Sequence, residues 1–239
     1  MKQTRIRDHH IHIGRYPTGP LNKITDVPGV KVGHETIQDK GAQTGVTAIF
    51  PTDDNVFKQK VIAASHVING FGKTTGTIQV TELGTIETPI LLTNTLNVGV
   101  CHEALVEYML EENEEIGLST GTVNPIIGEC NDMFVNDIRG LHLKKANVRQ
   151  ALNNRQTDFA EGTVGAGTGM KCFSLKGGIG SASRMMDFSF GNYTMGVLVL
   201  ANYGVLEDFR LNGKLIGPSI KNELDQETND IENGSIMII

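Results

Sequence analysis

The stretch Asp230-Ile231-Glu232-Asn233-Gly234-Ser235-Ile236-Met237-Ile238-Ile239 passes from an acidic segment, through Asn233-Gly234, into a hydroxyl residue heading an apolar, β-branched run. That order of residue types predicts a loop feeding a buried strand, with Ser235 at the junction. Glycine has no Cβ and tolerates the strained backbone that would bring the Ser235 hydroxyl to the Gly234 carbonyl. An N-to-O acyl shift followed by hydrolysis would then leave Ser235 as a new N-terminus. Its free amine could act as, or relay to, the base for its own hydroxyl. A plain turn before a strand has the same pattern, and on this feature alone it is the stronger reading.

Bulk properties narrow the alternatives. With 39% hydrophobic and 20% charged residues over 239 positions, the chain has an ordinary globular composition and enough length for a sizeable core. A net charge of −6, no tryptophan and only 5% aromatic residues argue against a nucleic-acid or anionic-membrane surface. Residues 1–20 carry charges and three histidines instead of an apolar signal core, and no run approaches a membrane span of roughly 20 apolar residues. A cytoplasmic location is expected, with no membrane and no nucleic-acid partner. Cys101, Cys130 and Cys172 are odd in number, far apart and without CxxC spacing, so neither a disulfide framework nor a zinc site is predicted.

Several other signals have to be weighed. His10 and His12 would share one face of an extended segment, but no nearby carboxylate or cysteine completes a metal set, and solvated histidines are the better reading. Ile24 to His34 reads as a turn at Pro28-Gly29 between two short extended pieces, and Gly45–Phe50 and Val61–Ile68 read as strands. Gly72-Lys73-Thr74 ends a phosphate-loop pattern whose first glycine would fall on Val67, and Thr77 to Thr81 alternates like a strand instead of opening a helix. A nucleotide site is not expected. Gly162 to Met170 fails the dinucleotide fingerprint because its third glycine would be Met170, so the dense glycine there predicts close backbone packing.

Cys101, Ala104, Leu105, Tyr108 and Met109 recur at helical spacing and predict a helix on the core, and Val148 with Leu152 predicts a second. The glutamates at 111, 112, 114 and 115 read as a solvated face. From Pro125 the chain predicts a strand that delivers Glu129 at its end, before a polar turn, where a carboxylate can face a pocket, although by pattern alone an exposed loop acid is the stronger reading. Met195 to Ala201 is the most apolar strand and ends at Asn202. An amide at a strand terminus can donate to a developing oxyanion, an interaction worth about 3–4 kcal/mol in comparable sites, or merely cap a turn. Asn222 to Asn233 is acidic with little to bury and predicts an exposed linker.

Taken in order, these segments resemble the self-processing aminopeptidase family that includes L-aminopeptidase/D-esterases and β-peptidyl aminopeptidases. The likeness is carried by Ile24 to His34, Thr44 to Ile49, Leu92-Thr93-Asn94-Thr95, Gly128-Glu129 through Asn136-Asp137-Ile138, Val164 to Met170, Lys176 to Gly180, Gly196 to Val199 with Ala201-Asn202-Tyr203-Gly204, and Gly234-Ser235. It implies a four-layer αββα sandwich similar to N-terminal nucleophile hydrolases but differently connected. It also implies cleavage between Gly234 and Ser235, with residues 1–234 the α polypeptide and residues 235–239 the start of the β polypeptide. Ser235 maps to the nucleophile, Asn202 to the oxyanion donor and Glu129 to the acid that holds a substrate ammonium. Asn131 takes a substrate-binding position that carries an aromatic residue in some relatives.

The resemblance further implies a small peptide, amide or ester substrate, no cofactor and no metal, and a homo-oligomer of αβ units. It implies too that the β polypeptide continues past Ile239 with further serine and glutamate groups. An acyltransferase of the ornithine acetyltransferase type is the nearest rival, disfavoured because those relatives usually carry a threonine nucleophile. A non-catalytic binding protein made of the α part alone is the rival from another class.

Overall fold

The computed structural model describes residues 4–224 and 234–239. Seven strands make its two principal sheets: β1 (Lys31–Asp39), β2 (Ala42–Phe50), β3 (Ile90–Asn94), β4 (Ile126–Cys130), β5 (Gly178–Phe188), β6 (Gly191–Asn202) and β7 (Ser235–Ile238). Four helices accompany them, α1 (Thr77–Leu83), α2 (Val98–Glu112), α3 (Lys145–Asn153) and α4 (Gly217–Leu224). The first sheet runs β1-β2-β3-β4, antiparallel except for the parallel β3–β4 pair, and the second is the antiparallel set β7-β6-β5.

Strand alternation separates the core into two slabs. Val46, Ala48, Phe50, Leu91 and Ile127 face Cys101, Leu105, Val148 and Leu152 of α2 and α3. Their neighbours Ile49, Leu92 and Cys130 point the other way, onto Ile179, Leu198 and Leu200 of the second sheet, with Met237 packed at the rim. Helix, sheet and sheet thus account for three layers among the described residues. On the far side of the second sheet β7 turns out Ile238, 56% exposed.

The glycine-rich segment packs as its composition implies. Gly165 sits at φ +51, and a Cβ there would stand 2.5 Å from Thr47 Oγ1; one on Gly169 would stand 2.3 Å from the Gln43 carbonyl oxygen. Nothing larger than glycine lets this segment lie flat on β2.

Other local expectations give way. Thr77–Leu83 is a helix, not a strand, because Gly76 and Gly84 bracket it in left-handed conformations at φ +83 and +66, and only Val80 is buried. Caps and a single buried contact override the β-branched composition here. The case against a phosphate loop therefore rests on the absent first glycine at Val67. Strand pairing stops at Val61–Ile62, with Ile68 78% exposed. Ile24–Asp26 forms a 3-10 turn instead of an extended piece. The histidine segment is also a 3-10 turn, Ile6–His9, followed by His10 at φ 59, and among the described residues no cluster of three or more His, Cys, Asp or Glu could hold a metal ion. Of the expected linker, Asn222 to Leu224 close α4 and the rest lies outside the described residues.

His34 on β1 is a half-buried neutral joint between the sheet and the glycine segment. Its Nε2 donates to the Ala160 carbonyl at 3.0 Å, and Nδ1 accepts from the Thr47 hydroxyl at 2.9 Å, which in turn accepts from Ala166 N–H at 3.1 Å. Burial pulls its pKa down to about 4, helped by the Lys23 charge. An unfolded histidine titrates near 6.5, so the unfolded chain takes up the proton first as pH falls. Stability is full above pH ~6.5 and drops by up to about 3 kcal/mol by pH 4. Urea unfolding across that window is expected to show this slope in the wild type and a shallower one in His34→Gln. Equal slopes would exclude His34 as the group responsible.

Candidate active site

The register of the second sheet sets the geometry: Asn202, the last residue of β6, pairs directly with Ser235, the first of β7. Asn202 Nδ2 lies 3.3 Å from Ser235 Oγ and also donates to the Asn131 carbonyl at 2.8 Å, while Oδ1 accepts from Lys171 N–H at 3.0 Å. Fixed from both ends, the amide keeps an N–H aimed at the serine. A second donor comes from the first sheet, where the Asn131 main-chain N–H reaches Ser235 Oγ at 3.3 Å. The serine oxygen therefore accepts from two N–H donors, which also stand within reach of a second oxygen on a carbon bonded to Oγ.

Gly234 is sterically required. A Cβ on it would stand 2.6 Å from Tyr203 Cα, on the turn just beyond Asn202. Beneath Ser235 the buried Cys130 thiol is pushed up to about 12 by burial and stays neutral.

Glu129 lies at the carboxyl end of β4, two residues before Asn131 and alongside the end of the parallel strand β3. It is 6% exposed, so the exposed-loop reading fails. Lys73 N–H donates to Oε1 at 3.1 Å and the Thr95 hydroxyl donates to Oε2. Both donors are neutral, and no ion pair reaches this carboxylate among the described residues. The nearby cation Lys73 turns away, its Nζ bonded to the Phe71 carbonyl at 2.7 Å and lying 3.8 Å from the centre of the Phe71 ring. A carboxylate taken out of water without a counter-ion is costly, and a cation entering from outside would complete it.

Asn131 enters the site through its backbone, because its side-chain Oδ1 accepts from Met133 N–H at 3.1 Å and is committed to the turn. Below that turn lies a network the sequence reading missed. Asp132, 1% exposed, accepts from Thr44 Oγ1 at 2.7 Å and from Asn136 Nδ2 at 3.0 Å, and Asn94 Nδ2 donates to Thr44 Oγ1 at 2.7 Å. Burial raises the Asp132 carboxyl above its ordinary value, and the bonds from Thr44 and Asn136 oppose that rise. Polar residues closing two apolar strands, at Thr93-Asn94-Thr95 and Asn131-Asp132, were the available signal.

Residues 22–239 match peptidase family S58. The chain belongs to that family. Among curated relatives, it is 41% identical over 227 residues to a β-peptidyl aminopeptidase of Sphingosinicella xenopeptidilytica, covering 91% of this chain and 56% of the relative. A second, from Sphingosinicella microcystinivorans, is 34% identical over 94% of this chain and 58% of its own length. The chain thus spans a little over half the length of these curated relatives. Solved structures agree. A β-aminopeptidase from a Burkholderia species superposes with a TM-score of 0.89 at 40% identity, over 98% of this chain and 65% of the other. The L-aminopeptidase D-Ala-esterase/amidase of Ochrobactrum anthropi, described as a prototype serine aminopeptidase and a new variant of the Ntn hydrolase fold, gives 0.87 at 32% identity, over 99% of this chain and 66% of that one. A protein from Pyrococcus horikoshii gives 0.91 at 48% identity over 98% and 67%. The mixed α/β architecture is therefore that Ntn variant. No helix among the described residues is long and apolar enough to cross a membrane.

Thr44→Val removes one donor and one acceptor from a fully buried network. We expect a loss of about 1–3 kcal/mol, read as a lower midpoint in thermal unfolding. An unchanged midpoint would mean that the network bears no stability.

Proposed function

We propose that this S58 chain is the nucleophile-bearing portion of a self-processing serine aminopeptidase that releases N-terminal amino acids from small peptides, amides or esters. One observation carries the reading: a serine oxygen held between two N–H donors, one of them on Asn131, lies beside the strand end that carries a buried carboxylate with no ion pair among the described residues. The names of the relatives support the same chemistry.

In this reading the substrate ammonium pairs with Glu129, which selects free N-termini. The Ser235 hydroxyl attacks the scissile carbonyl and gives its proton to its own α-amine, freed by cleavage after Gly234. The tetrahedral oxygen accepts from Asn202 Nδ2 and Asn131 N–H. Collapse passes the proton to the leaving amine or alcohol, and water hydrolyses the acyl ester. Residues 1–234 and the polypeptide beginning at Ser235 stay paired through the β6–β7 ladder, in a soluble enzyme that assembles as a homo-oligomer.

Two measurements on the full-length gene product test this. Intact mass is expected to show wild type as two polypeptides, the second beginning at Ser235, whereas Ser235→Ala stays whole and inactive and Gly234→Ala is cut slowly. An uncut wild type that is nonetheless active would overturn the reading. Glu129→Gln is expected to raise KM for free-amine substrates at least tenfold with a smaller change in kcat. An unchanged KM would remove Glu129 from substrate binding.

A further inference from the structure

We infer that Thr95 is a positioning residue for the amine anchor, its hydroxyl fixing the Glu129 carboxylate so that substrates with a free amino group are favoured. This rests on the proposed role of Glu129. An ionised carboxylate offers about four lone-pair sites. The fold fills one on each oxygen with a neutral donor, Thr95 on Oε2 and Lys73 N–H on Oε1, so lone pairs on both oxygens stay available for an ammonium.

Thr95 is held independently of Glu129. It opens a 3-10 turn, Thr95–Asn97, whose preceding residue Asn94 accepts from Leu96 N–H and Asn97 N–H at 3.1 Å each. The other end of the Asn94 amide is tied through Thr44 to Asp132, next to the main chain that contacts Ser235. The buried hydrogen-bonded chain Asn94–Thr44–Asp132 thereby joins the sequence neighbour of Thr95 to the sequence neighbour of Asn131, whose N–H donates to the nucleophile. The hydroxyl donates in a fixed direction, whereas a carboxylate with only one donor can rotate about its last torsion, a broad and weakly restricted one. Loss of the Thr95 bond therefore misaligns the anchor for a small ammonium held near the reacting carbonyl, and a one-ångström misplacement of that kind weakens productive binding.

The test compares two esters in the full-length protein: one of β-alanine, bearing a free amine, and the propionate ester of the same alcohol, which lacks it. Thr95→Val is expected to lower the ratio of their kcat/KM values about tenfold, or about 1.4 kcal/mol, chiefly through KM of the amine-bearing ester. Thr95→Ser, which keeps the hydroxyl, should hold the ratio within twofold, and a thermal melt of each variant reports folding. If Thr95→Val depresses both esters equally, or Thr95→Ser behaves like Thr95→Val, the hydroxyl acts through the fold and the assignment is wrong. Glu129→Gln run alongside separates the two claims. A collapsed ratio there with an unaltered ratio in Thr95→Val defeats only the role of Thr95, and an unaltered ratio in Glu129→Gln defeats both.

Discussion

The rest of the structure depends on one cross-strand pair, Asn202 opposite Ser235, at the edge where β7 joins β6. β7 contributes four residues, and its antiparallel register alone decides whether the Ser235 side chain turns toward Cys130 and Asn131 or away from them. A slip by one residue would turn Ser235 to the opposite face and bring Ile236 to the two N–H donors. The inward contacts of Met237 against the sheet-to-sheet core make that slip unfavourable. Packing of an apolar strand therefore sets the chemistry of the polar residue at its head.

The two sheets supply complementary halves of the site. The second brings the hydroxyl and a side-chain amide, and the first brings a main-chain amide, a buried acid and the network beneath them. Asp132, Thr44 and Asn94 lie on different segments of the first sheet and its loops, so their mutual satisfaction ties the ends of β3 and β4 to β2. Such a network is rigid only if every member is paired, and these three are. Glu129 has neutral donors but no ion pair among the described residues, and the ammonium of Lys73, whose N–H it accepts from, is drawn onto an aromatic ring instead. A site left short of one positive charge is suited to a ligand that brings it.

Much of this was legible in the sequence, and the gaps have physical causes. The apolar stripe of α2 and the apolar run of β6 fall where their patterns place them, and Ser235 does head a strand, although that strand is only half-buried, because it lies at the edge of its sheet and turns Ile238 outward. Asn202 and Glu129 could be singled out as polar residues ending apolar strands, but a turn cap and an exposed loop acid fitted the same patterns, and only the resemblance to the family raised them above those readings. Thr77 to Thr81 misled because its β-branched alternation is a local signal, whereas the flanking left-handed glycines and one buried valine fix the helix. The Asn131 main-chain N–H carries no side-chain signature, and Thr95 and Asp132 act through partners distant in sequence. Such roles become visible only when the strands are paired.

The most direct measurement of the central claim is a peptide map of the full-length protein after brief reaction with an amine-bearing acylating ester, quenched in acid. The account predicts a single acyl adduct on the hydroxyl of Ser235, in a peptide whose N-terminus is Ser235 itself. An adduct on any other residue, or on a Ser235 still joined to Gly234, would contradict it.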